Sequence, residues 1–554
     1  MFNQILKTMK NFTRLSMLIM VNMLMLLVKV NAQYKPSSPA FGSDVPVFEY
    51  IDCTNTFSHV YVANNGWIYV LARVDAPSSN YQAWRVWYST DDGLSFFQVC
   101  EWAYNTDNYV LQDCDFVVTG ENASDIRIWI AEVTNSGNVT PHNAYVRVNE
   151  FDAAGNFVAA PYLLDYGAAP NNLVSVSIAT DYRSPGGGMA PFSIGVAFTG
   201  NYSGNSWYSY AYSLDGGATF TAISPFSQTG TGQLGRISVS LGATYTNAWG
   251  RMAAAFEMNK VGDLGDIGVM SNYTDLVGGS WTTPVAVNQT FGPSTGLCRY
   301  PAIRIMDNGT TDPTIADYVP ILIAYEDWSS GVTAKDIMYN TLYASYVDLS
   351  QPTIADFYHS WIGAGNGYNE TEPSLSFDKL YNNFLLTYAS DNNNVCDYEW
   401  ISVNSILAGS WTDYGNYRDL NTAMPWAVQP RVDINPIHGN GSCYTWTQET
   451  GNPGIYNILF DAEWSTVGIG EQQDMLSGKS FVLSPNPARE SVTIRIGKPG
   501  DYNVSITDLM GKNVMNTILH NPQSTLQLGE FAPGVYLVRV SGQDIDAVKK
   551  LVVE

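Results

Sequence analysis

Positive charge is scarce in this sequence: 27 Lys and Arg stand against 51 Asp and Glu, a formal net charge of −24. Nucleic-acid binding needs clustered Lys and Arg to displace counterions from phosphate, so nucleic acid is excluded as a partner. Docking on anionic lipid is opposed for the same reason. Charge of either sign is sparse, at 14% of residues, and the five histidines are widely scattered. No CxxC occurs, so no metal site of zinc-type spacing and no cofactor are expected. Long apolar runs are confined to the N-terminus. Nothing after it is long and apolar enough to span a bilayer, so the mature protein is expected to have no transmembrane segment.

The N-terminal run reads as a secretory signal. Lys7, Lys10 and Arg14 form a basic region, and Leu15 to Val28 is an apolar core broken only by Ser16 and Asn22. Val30-Asn31-Ala32 then places small or apolar residues at the positions a signal peptidase reads, so cleavage is expected after Ala32. A retained membrane anchor is the alternative. An exported chain with six cysteines (Cys53, Cys100, Cys114, Cys298, Cys396 and Cys443) is permitted disulfides. Cys100 and Cys114 bracket one inter-strand loop and are the expected pair.

What is abundant is aromatic and turn-forming: 35 Tyr, 15 Trp and 47 Gly, with 45% hydrophobic residues overall. This is a folding composition biased to β-structure with polar loops. From about Val47 to Trp464 the pattern repeats every sixty residues or so. Each unit opens on an alternating strand, such as Val174-Ser175-Val176-Ser177-Ile178 or Pro430-Arg431-Val432-Asp433-Ile434. A strand apolar on both faces follows, such as Met252 to Phe256 or Ile321 to Tyr325. First strands near His59, Asp113, Val174, Ile237, Ala302, Ser374 and Arg431 count seven units, and four strands per unit describe a β-propeller. Six or eight blades remain open, and Val47 to Cys53 is placed to complete the last blade.

Two third-to-fourth-strand turns carry a motif: Ser89-Thr90-Asp91-Asp92-Gly93-Leu94-Ser95-Phe96 and Ser213-Leu214-Asp215-Gly216-Gly217-Ala218-Thr219-Phe220. Both resemble the Asp-box (BNR repeat) of sialidase-like propellers. The resemblance implies a structural role for Ser89, Asp91, Gly93, Ser213, Asp215, Gly217, Thr219 and Phe220. The carboxylate caps turn amides, Gly takes a positive φ and the aromatic ring packs inward.

After Trp464 the repeat is lost. The Ser484-Pro485-Asn486-Pro487 opening, the Asp508-Leu509-Met510-Gly511-Lys512 turn, Pro533-Gly534-Val535-Tyr536-Leu537-Val538-Arg539-Val540 and the ending Lys549-Lys550-Leu551-Val552-Val553 follow in order. Together they resemble the type IX secretion sorting domain of Bacteroidetes. That resemblance implies a small Ig-like β-sandwich, recognition by the outer-membrane secretion machinery, and delivery to the cell surface or medium. The expected organisation is a signal peptide (1–32), an all-β, seven-bladed sialidase-like propeller (33–464), a linker (465–478) and the sorting domain (479–554).

For the propeller two functions compete. A sialidase-type exo-glycosidase needs three arginines on a carboxylate, a Tyr–Glu nucleophile and an acid, as the resemblance implies. Arg236, Arg299 and Arg431 lie near first-strand starts, and Glu257 and Glu326 at matching places after second strands. The competing reading makes the arginines inter-blade ion pairs and the glutamates caps. A non-catalytic module binding a glycan or a surface protein needs only aromatics and amides in loops, for which Trp328, Trp361, Trp400 and Trp426 are the candidates. Binding is the expectation, and a pocket poor in arginine would end the enzyme case. Gly292-Pro293-Ser294-Thr295-Gly296 and Asp307 to Asp312 read as loops, not as a nucleophile elbow or a calcium site.

Overall fold

The computed structural model describes residues 44–49, 54–76, 80–136, 145–164, 172–182, 192–202, 205–229, 232–244, 247–261, 264–271, 281–290, 298–305, 318–328, 334–345, 353–362, 368–378, 383–391, 395–402, 427–436, 441–449, 456–462, 481–484, 488–489, 491–496, 501–508, 512–520, 523–529, 531–542 and 545–553. The signal segment, the 292–296 and 307–312 loops, Cys53, Trp426 and the 465–478 stretch lie outside them. Nearly all that is described is strand.

Successive antiparallel sheets follow the chain. After β1 (Val45–Glu49), the first blade holds β2 (Thr54–Val62), β3 (Ile68–Ala76), β4 (Tyr81–Ser89) and β5 (Phe97–Asn105). The second holds β6 (Tyr109–Thr119), β7 (Arg127–Ser136), β8 (Tyr145–Asp152) and β9 (Tyr162–Leu163), and the third β10 (Asn172–Thr180), β11 (Ile194–Tyr202), β12 (Asn205–Ser213) and β13 (Thr221–Thr229). The fourth comprises β14 (Ile237–Thr244), β15 (Asn247–Val261), β16 (Leu264–Ser271) and the short β17 (Val285–Ala286), followed by a single helical turn, α1 (Val287–Thr290). The fifth comprises β18 (Cys298–Ile305), β19 (Tyr318–Asp327), β20 (Asp336–Ser345) and β21 (Thr353–Ile362), bridged to the fourth by one pairing, Gly265 with Cys298. Then come β22 (Glu370–Asp378), β23 (Asn383–Ser390) and β24 (Val395–Ser402), and β25 (Ala427–Asn435), β26 (Gly441–Glu449) and β27 (Tyr456–Ala462). Strand β1 adds to β27, with Val45 opposite Phe460 and Glu49 opposite Asn457, so the start of the repeat region completes its last sheet.

The blades form a ring. Their first strands touch in the cyclic order β2, β6, β10, β14, β18, β22, β25 and back to β2. Burial follows the same circle. One hydrophobic cluster joins blades one and two through Trp84, Leu111, Phe116 and Phe151, and corresponding clusters join each later pair. The last joins β25–β27 and β1 to blade one through Phe460, Val62, Val70 and Trp87. No blade has a core of its own, as expected of sheets whose two faces are both apolar.

The two Asp-box-like turns lock this packing at the periphery. In each, the serine hydroxyl accepts from the glycine amide (Gly93 N to Ser89 Oγ 2.9 Å; Gly217 N to Ser213 Oγ 2.8 Å). The aspartate accepts from the residue four positions on (Ser95 N to Asp91 Oδ1 3.0 Å; Thr219 N to Asp215 Oδ1 2.9 Å). Gly93 and Gly217 sit at φ +86° and +93°, and a Cβ on them would lie 2.1 Å from Phe460 and 2.0 Å from Trp129 of the preceding blade. Blade two makes a similar turn from a different sequence. Asp152 Oδ1 caps Ala154 N and Asn156 N at 2.9 Å, and Gly155 (φ +79°) abuts the Val99 carbonyl of blade one.

The expected Cys100–Cys114 disulfide is absent. The two cysteines lie on β5 and β6, in different sheets, as buried free thiols. Burial pushes the Cys100 thiol up to about 12, which leaves it protonated and unreactive at neutral pH.

Beyond the ring, β28 (Phe481–Ser484), β29 (Ser491–Ile496) and β32 (Gln523–Gln527) form one sheet. A second has the order β31 (Asn513–Leu519), β30 (Tyr502–Asp508), β33 (Gly534–Gly542), β34 (Ile545–Val553). The two enclose one core that includes Phe481, Ile494, Tyr502, Ile506, Val538 and Leu551.

Asp433 ties three blades together. It accepts from Val62 N at 2.7 Å and from Ser376 Oγ at 3.1 Å. Asp433→Ala is expected to cost about 2–4 kcal/mol by stranding buried donors, and Ser376→Ala about 1 kcal/mol, in urea unfolding of the mature protein. Equal costs for the two would show that the seam does not depend on the carboxylate.

Candidate functional site at the channel mouth

The seven first strands surround an axial cavity of about 240 Å³ to which every one of them contributes side chains. Strand alternation puts every second residue towards this axis. At the end where the first strands begin, the wall carries His59, Asp113, Arg236, Tyr300, Glu372, Gln429 and Arg431. Of the arginines expected to converge, Arg236 and Arg431 therefore do so. Arg299 does not line the cavity: its Nε donates to Glu326 Oε2 at 2.6 Å.

Three of these residues occupy one structural position. Tyr300, Glu372 and Gln429 each precede a proline (Pro301, Pro373, Pro430) and each adopts the left-handed conformation, at φ +55°, +54° and +56°. The first strand bulges at each of these points, between Arg299 and Ala302, Thr371 and Ser374, and Val428 and Arg431. A non-glycine residue held this way costs on the order of 1–3 kcal/mol and needs surroundings that enforce it.

At Tyr300 and Glu372 the two candidate catalytic glutamates supply that enforcement. Glu257, only 1% exposed, accepts from Arg236 N in its own blade and Tyr300 N in the next, both at 3.1 Å. Glu326, 2% exposed, accepts from Glu372 N of the following blade at 3.0 Å while pairing with Arg299 and with Lys335 Nζ at 3.6 Å. Burial raises the Glu326 carboxyl and the Arg299 charge opposes the rise. Both glutamates thus hold the backbone that aims Tyr300 and Glu372, and neither lines the cavity.

Tyr300 lies between two guanidinium groups, with Arg236 Cζ 4.3 Å and Arg299 Cζ 4.7 Å from its ring centroid. Burial raises its phenol above the ordinary tyrosine value, with Arg236 opposing, so the hydroxyl is protonated at neutral pH. Arg236 is exposed to the channel but enclosed by its walls. Burial works against its charge, and Tyr300, Asp113 and Glu372 outweigh it. Burial depresses Arg431, and Arg236 adds to this while Glu372, Asp115 and Asp113 oppose it. His59 is lowered by burial although Asp115 stands 3.3 Å away, so its imidazole is neutral at pH 7.

Of the tryptophans expected in loops, Trp328 directly follows β19 and is 41% exposed. Trp361 falls one residue before the end of β21 and Trp400 within β24, and their side chains lie outside the described residues, as does all of Trp426. Among the described residues no group of three His, Cys, Asp or Glu could hold a metal, and no helix is long and apolar enough to cross a membrane. The sequence reading missed Tyr300, Glu372 and Gln429, although their shared X-Pro at the first-strand start was visible.

Residues 483–554 match the family described as the secretion system C-terminal sorting domain. The chain carries a type IX secretion sorting domain. That address implies export to the cell surface or the extracellular space. Among curated proteins none matches. Of solved structures, the α-L-arabinanase of Penicillium chrysogenum aligns over 76% of this chain and 98% of its own, at 11% identity and a TM-score of 0.39. The α-L-arabinofuranosidase of Fusarium graminearum covers 76% and 97% at 10% and 0.38, and a protein of unknown function from Dyadobacter fermentans covers the same shares at 11% and 0.38. Likeness at this level says nothing of activity.

Two measurements check the geometry. Glu326→Ala strands the Glu372 amide and leaves Arg299 unpaired, and is expected to cost about 3–5 kcal/mol in thermal unfolding; a neutral result would remove its positioning role. His59 binds a proton less readily folded than unfolded, so its contribution to stability is present above its ordinary value near 6.5 and is lost as pH falls through it. His59→Gln is therefore expected to flatten the fall in melting temperature between pH 7.5 and 5. A parallel fall in both proteins would exclude His59 as its source.

Proposed function

We propose that the exported propeller binds a neutral, hydroxyl-rich glycan at the mouth of its central channel. The carrying observation is charge balance. The arginines lining the channel, Arg236, Arg304 and Arg431, stand against four acidic residues, Asp113, Asp115, Glu372 and Asp433. Arg236 and Arg431 each face carboxylates, so neither offers an open cation to an acidic sugar. Alternating donors and acceptors beside an aromatic ring suit vicinal hydroxyls and the apolar face of a sugar. A sialoside would ask three arginines to converge on its carboxylate, and Arg299 is committed to Glu326.

A second reading, hydrolysis of a neutral glycoside, is favoured by one specific feature. The mouth is not poor in arginine, and it also holds two carboxylates, Asp113 and Glu372, the second on strained backbone. Paired carboxylates are what general acid–base cleavage of a glycosidic bond requires. On this reading Asp113 and Glu372 take those roles, and protonated Tyr300 is a binding group and not a nucleophile.

The division of the chain proposed here is a signal peptide removed after Ala32, a propeller over 33–464, a linker over 465–478 and a sorting domain over 479–554 handed to the outer-membrane secretion machinery. The test is binding and turnover by the mature protein on a panel of neutral glycans and fluorogenic glycosides that includes a sialoside. Glu372→Gln is expected to weaken binding of a neutral sugar at least tenfold. It abolishes turnover if the mouth is catalytic. Selective binding of the sialoside, lost in Arg299→Ala, would overturn the neutral-ligand reading.

A further inference from the structure

A chain of side-chain contacts leads outward from the channel mouth through blade five. Register puts Arg299 opposite Glu326 and Cys298 opposite Asp327 in the β18–β19 pair, so the end of β19 lies beside the strand start that carries Tyr300 into the cavity. Contacts run without a break from there. The Tyr300 ring is 4.7 Å from the Arg299 guanidinium, Arg299 Nε is 2.6 Å from Glu326, Glu326 is 3.6 Å from Lys335 Nζ, and that ammonium is 5.1 Å from the Trp328 ring centroid. Trp328 remains 41% exposed at the end of this path.

A second large aromatic stands close by. Tyr368, 42% exposed, precedes Asn369, whose Oδ1 accepts from Lys335 N at 3.0 Å, and Glu370 N donates to the Lys335 carbonyl at 2.8 Å. The Lys335 backbone is thereby anchored to the segment that carries Tyr368, while its ammonium faces Trp328, and Tyr368 lies four residues before Glu372 at the channel wall. Among the described residues the other exposed large aromatics of the ring, Trp102 and Phe157, pack edge to face at 5.6 Å. Exposed rings next to a charged donor, linked by side-chain contacts to a polar cavity, form a surface that stacks on sugar rings and bonds their hydroxyls.

We propose that Trp328 and Tyr368 form an outer subsite, so that the ligand is an oligosaccharide chain whose end unit enters the channel while later units lie across blade five. This rests on the glycan reading of the mouth and adds chain length and direction to it. A monosaccharide would use only the mouth, and each further unit gains contact with the Lys335 donor and the two rings.

The test is calorimetric titration of the full mature protein with cello-, xylo-, manno- and arabino-oligosaccharides of one to four units. In a series that binds, affinity is expected to rise at least tenfold from one unit to four. Trp328→Ala should abolish that rise while changing the single-unit affinity less than twofold, with Trp328→Phe keeping part of it and Tyr368→Ala giving an intermediate loss. Trp328 is exposed, so unchanged melting temperatures are expected and would separate lost contacts from misfolding. A rise with length that survives Trp328→Ala, or no rise at all, overturns the outer subsite. Failure of the underlying reading looks different: single-unit affinity unchanged in Glu372→Gln, or no sugar bound in any series, removes the mouth and the subsite with it.

Discussion

Everything in the ring depends on how the innermost strands satisfy one another across the channel wall. Each first strand is an edge strand on its inner side, and its amides there have no ladder partner. Side chains of the neighbouring blade supply one. Asp113 and Asp115 accept from Val176 N and Ile178 N and from the hydroxyls of Ser175 and Ser177. Ser175 and Ser177 accept from Ile237 N and Val239 N, and Ser238 and Ser240 from Ile303 N and Ile305 N. Arg304 donates to the Leu375 carbonyl, Ser376 to Asp433, and Asp433 takes the Val62 amide. His59 and Asp115 close the circle. Each blade therefore needs short polar side chains at alternate first-strand positions, and each gains its geometry from the next blade. Removing one link loosens a junction and not merely a contact.

The belt also decides where chemistry can sit. Its serines and most of its aspartates are engaged in blade-to-blade bonds, so the residues freest to face a ligand are those just before it, where the strands begin, with Asp113 the belt member that also lines the mouth. There the chain bulges at X-Pro and turns Tyr300, Glu372 and Gln429 towards the axis. At Tyr300 and Glu372 the strain is borne because Glu257 and Glu326 fix their amides. A buried carboxylate that holds an amide of the adjacent blade couples the site of one blade to the packing of its neighbour, so the mouth is preorganised by the same junctions that hold the ring together.

The ring was legible because its signals are local. Period-two alternation, doubly apolar second strands and the Ser-x-Asp-x-Gly turns recur in register, and each has a physical cause that acts within a few residues. The site was legible only in part. Arg236 and Arg431 could be placed because they head first strands, but Arg299 heads one too and is turned aside by Glu326, a contact across a bulge that spacing does not reveal. Glu257 and Glu326 looked catalytic because carboxylates at matching positions do, and their burial depends on the following blade. Tyr300 and Glu372 were hidden for a subtler reason: a residue before proline reads as extended chain, while here the bulge drives it left-handed. The Cys100–Cys114 pairing was expected because the two bracket one inter-strand loop, but that loop joins two blades and leaves the cysteines on separate sheets as unlinked thiols.

Charge brings address and ligand into one account. A chain of net charge −24 sets up a negative field around itself, and such a field slows the approach of anions while leaving neutral molecules unaffected. Were the ligand acidic, the mouth would have to override that field with unopposed cations. Instead Arg236 and Arg431 look onto Asp113 and Glu372, and Arg299 and Lys335 onto Glu326. Opposition of this kind lowers the net attraction for charge, while the guanidinium and ammonium hydrogens not already donated within the protein remain directional donors beside carboxylate acceptors. A surface built so discriminates by the pattern of donors and acceptors on its ligand, which is how polyhydroxylated chains differ from one another.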